Sequence, residues 1–212
     1  RGVPCIRYAD DIVLLAKSGR ASERLLESST KYLEKRLKLT VNREKSHTVS
    51  VFAIRNFKFL GFALGRNGKG TYVRVHSKSW KKFKSRLKEL SSRKRCQSIK
   101  PSLEKIKVYA RGWLNYYGIA SMKNNIDDIN GWLYHRIRMC IWKQWKKPRT
   151  KYKNLVKLGI PEHYASTIAN SRRKYWYISN NKAVIWALNK ERLINSGFYD
   201  LATAYQSVHV NY

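Results

Sequence analysis

The residues with the clearest chemical potential are two adjacent carboxylates, Asp10 and Asp11, set between short apolar runs at residues 3–9 and 12–16. Both runs have strand length and are bounded by turn or polar residues. The stretch therefore reads as a β-hairpin with the two aspartates at its tip. Side chains alternate across a strand, so neighbours there do not share a face. A tight turn relaxes that rule and brings both carboxylates toward one small volume. Two anions held close raise each other's energy unless a cation or a proton joins them. A divalent ion that takes oxygen ligands, Mg²⁺ above all, meets that need. Asp-Asp is equally an ordinary turn dipeptide, because aspartate hydrogen-bonds its own backbone in turns.

A second set of candidates is cationic. The 212 residues carry 45 Lys and Arg against 13 Asp and Glu, a formal net charge of +32. Such a charge on a folded chain calls for a polyanionic partner, nucleic acid first. A basic, ribosome-like structural protein fits the same balance and also implies RNA. Trp and Tyr spread along the whole length speak against a membrane-surface role. No apolar run is long enough to span a bilayer, and no signal peptide is visible. Between Asp128 and Glu162 there is no acid, while Arg136, Arg138, Lys143, Lys146, Lys147, Arg149, Lys151, Lys153 and Lys157 all fall there. Cations so placed bind phosphates by counterion release, without reading base sequence.

Trp142, Trp145, Tyr152 and Trp176 are interleaved with these cations, and such rings stack on unpaired bases. Their other use is to pack a helical core, which is the role expected for Trp80, Trp113 and Trp132 on apolar stripes. Arg172-Arg173-Lys174-Tyr175-Trp176-Tyr177 is a second mixed cluster, suited to RNA contact or to gluing a small helical subdomain. The RNA-binding candidates are Lys81, Lys82, Lys84, Arg111, Arg136, Lys143, Lys146, Lys147, Arg149, Lys151, Arg172, Arg173 and Lys174. Cys5, Cys96 and Cys140 are odd in number and widely spaced, which makes neither a disulfide framework nor a metal pair. They read as reduced core thiols in a cytosolic or similarly reducing compartment.

The positioning elements follow in order. After a loop at 17–20, Ser22 caps a helix to about Leu39, with Leu25, Leu26, Ser29, Leu33 and Leu37 at helical spacing. Its stripe would pack on the back of the hairpin. Lys45 by default is a solvated turn residue. Strands are predicted at 48–52, 57–64 and 71–75, with Gly61 marking a bulge or the close approach of another backbone. The glycine-rich turn at 65–70 is not a phosphate loop, since no helix follows it in the required way. From Ser77 the pattern becomes helical. Trp80, Phe83, Leu87 and Leu90 mark one stripe; Leu103, Ile106, Ala110, Trp113 and Tyr117 mark a second, started near Pro101. Ile129, Leu133, Ile137 and Ile141 mark a third helix, over about 126–145 and ended by Pro148. Three such helices suit a compact bundle. Helical pieces at 162–170, 182–188 and 190–196 follow a turn at Gly159-Ile160-Pro161.

Taken together, these stretches resemble the C-terminal part of a bacterial-type group II intron reverse transcriptase/maturase, essentially from end to end. Ile6-Arg7-Tyr8-Ala9-Asp10-Asp11 is similar to the family's palm motif. Leu39-Thr40-Val41-Asn42-Arg43-Glu44-Lys45-Ser46 is similar to the block after the palm helix, and Phe57-Lys58-Phe59-Leu60-Gly61-Phe62 to the last palm block. Arg111-Gly112-Trp113-Leu114-Asn115-Tyr116-Tyr117 resembles the thumb, or maturase, signature, and selects the intron family from other reverse transcriptases. Asn154-Leu155-Val156-Lys157-Leu158-Gly159-Ile160-Pro161 and Arg173-Lys174-Tyr175-Trp176 resemble the C-terminal segment.

The resemblance implies an α+β chain. Residues 1–76 would be the end of a polymerase palm, antiparallel β-hairpins with a packing helix. Residues 77–150 would form an all-α thumb/maturase domain, and 151–212 a C-terminal helical segment. It implies that Asp10 is the principal ligand of catalytic Mg²⁺, with Asp11 its neighbour. Tyr8, Ala9 and Lys45 would lie near the primer end and incoming deoxynucleotide, and Phe59, Leu60 and Gly61 would support the primer. The implied partners are group II intron RNA, a template–primer duplex and a DNA target, with no membrane, in a bacterial-type cytoplasm. The family's palm needs a further aspartate, for which Asp127 and Asp128, at a helix start, are poor candidates. The chain opens on Arg1 inside an apolar strand, which suits part of a longer protein whose other segments complete a two-metal site. Polymerisation by these 212 residues alone is not expected. A splicing maturase without polymerase activity and an inactive mobile-element remnant are the competing readings.

Overall fold

The computed structural model describes residues 2–68, 70–94 and 98–209. The chain forms two compact units, Arg1–His76 and Ser77–Tyr212. The first carries both β-hairpins and one long helix; the second is helical throughout.

In the first unit, strands β1 (Cys5–Tyr8) and β2 (Asp11–Leu14) pair antiparallel, with Tyr8 opposite Asp11. Only Ala9 and Asp10 remain for the turn, and Ala9 takes φ +51°. A positive φ at the first turn position matches the twist of the flanking strands, at a cost of about 1–2 kcal/mol for a residue with a Cβ. The Arg7 Nε donates to the Ala9 carbonyl at 3.0 Å and holds that geometry.

Helix α1 (Gly19–Lys35) begins earlier than expected, because Ser18 and not Ser22 is its cap. Ser18 has extended backbone angles, and its hydroxyl accepts from Ala21 N–H at 3.3 Å; the Ser22 hydroxyl donates instead to the Gly19 carbonyl at 2.8 Å. The helix also ends before Leu37, with Lys38 at φ +56° just beyond it. No residue of α1 is buried, so its leucine stripe is at most half-covered.

Two further expectations fail for local reasons. The strand at 48–52 does not form. Ser50 instead caps a 3₁₀ turn, Val51–Asn56, its hydroxyl accepting from Phe52 N–H at 3.3 Å. Thr48, Val49 and Val51 favour extension only where a neighbouring strand completes the ladder, and Ser50 offers the backbone a nearer partner. The strand at 57–64 is interrupted: Phe59 and Phe62 exchange both backbone hydrogen bonds, at 3.1 and 2.9 Å, around Leu60 at φ +51° and Gly61 at φ +81°. Positive φ at both positions is the pattern of a two-residue hairpin turn, so Gly61 is a turn residue and not a mid-strand bulge. Strand β3 (Phe62–Asn67) then pairs with β4 (Gly70–Val75), which shortens the expected glycine-rich turn; Lys69 lies outside the described residues. Gly65 faces Tyr72, and a Cβ there would overlap the phenol ring, 2.7 Å from its oxygen.

The second unit is built around α4. Helices α2 (Ser77–Leu90) and α3 (Ile99–Tyr117) bury one stripe each, Phe83 and Leu87 on α2, then Leu103, Ile106, Ala110 and Leu114 on α3. Their seam is aromatic: Phe83 stacks on Trp113 at 4.0 Å, and Trp80 lies 4.9 Å from Trp113. Helix α4 (Lys123–Gln144) buries ten residues, from Ile126 to Trp142, on most of its sides, as a central helix must. Pro148 both follows α4 and opens α5 (Pro148–Lys157), a helix whose basic sequence gave little periodic signal. Helices α6 (Glu162–Ala169), α7 (Tyr175–Ile178), α8 (Lys182–Ala187), α9 (Lys190–Asn195) and α10 (Leu201–His209) follow. Helix α10 packs on α3 and α4, so the last segment belongs to the same compact unit as the preceding helices. It clamps the α3–α4 connection: the Tyr205 hydroxyl donates to the Ala120 carbonyl at 2.9 Å and accepts from Met122 N–H at 3.2 Å. Gly118 is required there, because a Cβ would strike Val208 on α10.

Cys140 is buried as expected, whereas Cys5 is exposed on β1, and Cys96 lies outside the described residues. No described helix is long and apolar enough to cross a membrane.

One buried carboxylate ties this unit together. Asp200 caps α10 by accepting from Thr203 N–H at 2.9 Å, and it also accepts from Asn130 at 3.3 Å and Tyr134 at 2.8 Å, both on α4. Lys190 pairs with it at 2.7 Å. Burial opposes its charge, but Lys190, Thr203 N–H and the Tyr134 hydroxyl outweigh burial and hold the carboxyl at about 2. Tyr134 is pushed far up, by burial first and then by Asp200. A carboxyl depressed from about 3.9 in the unfolded chain stabilises the fold above pH ~4, and that stability is lost as pH falls toward 2. Asp200→Asn is expected to destabilise the chain by about 2–3 kcal/mol at pH 7. Urea denaturation should show the gap between the two proteins closing below pH ~4.

Candidate metal and nucleic-acid sites

The β1–β2 hairpin places Asp10 in the second turn position and Asp11 at the first residue of β2. Both are exposed, as is Tyr8 opposite Asp11. Among the described residues neither carboxylate takes a hydrogen bond or an ion pair. Adjacent, solvated and without a cationic partner, they are hard oxygen donors of the kind Mg²⁺ takes. Among the described residues no His, Cys, Asp or Glu joins them to make a group of three. The pair thus fits part of a coordination shell and does not complete one.

The other residues expected near a primer sit in the same unit. Lys45 lies in a turn made by Asn42, whose carbonyl and side-chain oxygens both accept from Lys45 N–H, at 3.2 and 3.1 Å. Its side chain is exposed. Phe59, Leu60 and Gly61 form the second tight turn, so the stretch presents a hairpin tip and not a strand face.

In the helical unit the structure sorts the expected RNA-binding cations into two groups. Lys81, Lys82, Lys84, Arg111, Lys146, Lys147, Arg149, Arg172, Arg173 and Lys174 are exposed. Among the described residues none of these ten pairs with a carboxylate. Lys84 lies over the Trp132 ring at 5.3 Å, with Arg136 on the same indole at 5.0 Å. Trp132 is therefore half-buried between cations and not a plain core residue.

Arg136, Lys143 and Lys151 form the second group, and their charges face the protein. Arg136 donates to the Ser91 hydroxyl at 2.6 Å and to the Lys88 and Ser91 carbonyls at 2.9 and 3.0 Å, closing the C-terminal end of α2. Lys143 donates to the Arg93 carbonyl at 2.9 Å. Lys151, only 9% exposed, sits 4.9 Å from the Trp142 ring and 5.8 Å from that of Tyr175. Burial lowers the pKa of Arg136 and Lys151, a sign that their charge is held by contacts weaker than full solvation. Trp142 is corrected as well: it is 2% exposed and cannot stack on a base. Trp145 and Tyr152 are half-buried, and Trp176 is exposed.

Arg138, expected among the phosphate-binding cations, is instead buried and donates to the Ser179 carbonyl at the end of α7, 3.1 Å away. Sequence reasoning missed Arg192, which donates to the Leu158 and Ala187 carbonyls at 2.7 and 3.0 Å. A shallow groove between α5 and α6, lined by Pro148, Arg149, Tyr152, Ser166 and Asn170, was equally invisible. Its polar groups come from two helices, one of them hidden by its charge.

Two family models match the chain. One, described as reverse transcriptase (RNA-dependent DNA polymerase), covers residues 1–64. The other, described as the group II intron, maturase-specific domain, covers residues 80–159. No curated protein matches the chain.

The two groups of cations should separate experimentally. Removing Lys146, Lys147 and Arg149 together by alanine substitution should leave thermal stability unchanged. It should flatten the salt dependence of single-stranded RNA binding by about 2 in log–log slope. Arg136→Ala should instead lower stability by about 1–3 kcal/mol in urea, because it takes a donor from the Lys88 carbonyl and the Ser91 hydroxyl at the end of α2.

Proposed function

The chain belongs to the group II intron-encoded reverse transcriptase/maturases, and on that premise we propose that its helical unit grips intron RNA and assists splicing. The hairpin unit, within a complete palm, would take part in copying RNA into DNA for intron mobility. The observation that carries the RNA-binding half is the set of ten exposed cations without carboxylate partners. They stand on the helical unit, seven of them within the residues 80–159 that match the maturase-specific domain. Cations left unpaired by their own protein are free to displace counterions from phosphate. The same surface suits a template–primer duplex and a DNA target.

For the copying half, Asp10 and Asp11 are the residues that would hold Mg²⁺, together with a further carboxylate beyond these two. Bound there, the metal supplies activation of the primer 3′-hydroxyl and neutralisation of charge at the leaving pyrophosphate. The protein's own part is positional. The two-residue turn fixes both aspartates at the end of a paired hairpin. Tyr8, across from Asp11, stands beside the same volume as a contact for the primer end or the incoming deoxynucleotide. The Phe59–Phe62 turn supports the primer strand, with Leu60 and Gly61 at its tip. Lys45 contributes charge toward the nucleotide phosphates. An unpaired pair of acidic groups on so basic a chain favours retained chemistry over splicing alone.

The purified 212-residue chain should bind intron RNA with strong salt dependence and should not extend a primer. Asp10→Ala in the complete protein should abolish DNA synthesis and leave splicing within about twofold of the unsubstituted level, since no RNA-gripping cation is touched. Equal loss of both activities would overturn the division of labour between the two units.

A further inference from the structure

Three consecutive aromatics on α7 are used in two different ways. Tyr175 is half-buried beneath cations, with Arg93 at 5.4 Å and Lys151 at 5.8 Å from its ring. Trp176 and Tyr177 turn outward and are 42% and 55% exposed. The Trp176 indole is nevertheless fixed. His135, on α4, stacks against it with centroids 3.6 Å apart and planes 27° from parallel. The His135 Nε2 also lies 2.8 Å from the Trp176 carbonyl oxygen. With one face held by the imidazole, the exposed surface is the opposite face and the edges.

Its neighbours are charged, and one of them is held in place. The Arg173 guanidinium lies 4.6 Å over the Tyr177 ring and donates to the Tyr177 hydroxyl. Arg172, Arg173 and Lys174 are exposed, and among the described residues no carboxylate pairs with them. A large aromatic held rigid in water has already lost its rotamer freedom, so a ligand that covers it gains the contact without a fresh ordering cost. The matching ligand is flat, presents a π-face and carries anionic groups to either side.

We propose that Trp176 is a stacking platform for an unpaired RNA base, with Arg172, Arg173 and Lys174 taking the flanking phosphates. This rests on the RNA-binding reading above and narrows it from phosphate contact to single-stranded or looped segments. A base inside a duplex is stacked on both sides and has no free face to offer. An unpaired base has one, and aromatic platforms accept any of the four. The exposed cations Lys146, Lys147 and Arg149 need no such free face and would grip paired and unpaired RNA alike.

The test compares four ligands on the 212-residue chain: a short single-stranded RNA, a fully paired RNA duplex of matched charge, inorganic polyphosphate and polyglutamate. Trp176→Ala and Trp176→Leu should weaken single-strand binding by about tenfold, and Trp176→Phe, which keeps a ring, by no more than about threefold. Leu fills much of the volume, so it separates lost stacking from lost packing, and thermal melting checks that each variant folds. Affinity for the duplex, polyphosphate and polyglutamate should stay within about twofold, and the salt slope should not change, because no cation is removed. Equal weakening for RNA and polyphosphate would overturn the proposal, as would single-strand binding that ignores a folded Trp176→Leu protein. A loss confined to polyglutamate would mark an acidic protein partner and overturn it as well. No RNA binding by the unsubstituted chain would overturn the broader reading too; intact binding indifferent to Trp176 overturns this one alone.

Discussion

The helical unit is built under a shortage of carboxylates. With 7 Asp and Glu for 29 Lys and Arg between Ser77 and Tyr212, most of its buried and half-buried cations have no anion to pair with among the described residues. The fold answers with backbone carbonyls and ring faces. Arg136 closes α2, Arg138 meets the carbonyl just past α7, and Arg192 meets those ending α5 and α8. Helix ends carry carbonyls that lack intrahelical donors and the negative pole of the helix dipole. A guanidinium satisfies both needs with one side chain, since its donors are fixed in a fork. Lys151 has only the faces of Trp142 and Tyr175. Asp200 is the exception, a buried acid shared among α4, Lys190 and the start of α10.

That economy explains why the chain can keep so many cations outward. By closing helices with arginines, the fold leaves Lys81, Lys82 and Lys84 on α2, Arg149 on α5 and Arg172, Arg173 and Lys174 before α7 exposed and, among the described residues, unopposed by carboxylates, whereas Arg86 on α2 pairs with Glu89. Aromatic residues are divided on the same principle. Trp142 and Tyr175 serve buried charge, Trp132 lies between Lys84 and Arg136, and Trp176 keeps one face in water.

Much of this was legible from residue order. The carboxylate turn, the return hairpin and the three long helices follow from alternation, turn residues and stripes, and the family follows from its motifs in sequence. What stayed hidden has physical causes. The strand expected at 48–52 had side chains suited to extension but no partner strand, and Ser50 drew the backbone into a 3₁₀ turn. Helix α5 has a cationic exposed face that masks its period, and α10 has no assignment in the sequence reading although Leu201 and Tyr205 are its buried positions. Periodicity cannot distinguish a cation that faces solvent from one that closes another helix packed against its own. Arg136 and Lys146 therefore looked alike. The exposure of Trp176 was equally unreadable, because it depends on which face His135 takes.

The arginine-closed helices have a consequence for how the protein meets its solvent. Charge–charge contacts across water fade over about 8–10 Å at physiological ionic strength. Hydrogen bonds from guanidinium to carbonyl and cations pressed on rings act at contact distance, where mobile ions do not intervene. Scaffold and grip therefore answer to different variables of the medium. Concentrated electrolyte would therefore weaken the hold on any polyanion outside while leaving these interior contacts in place.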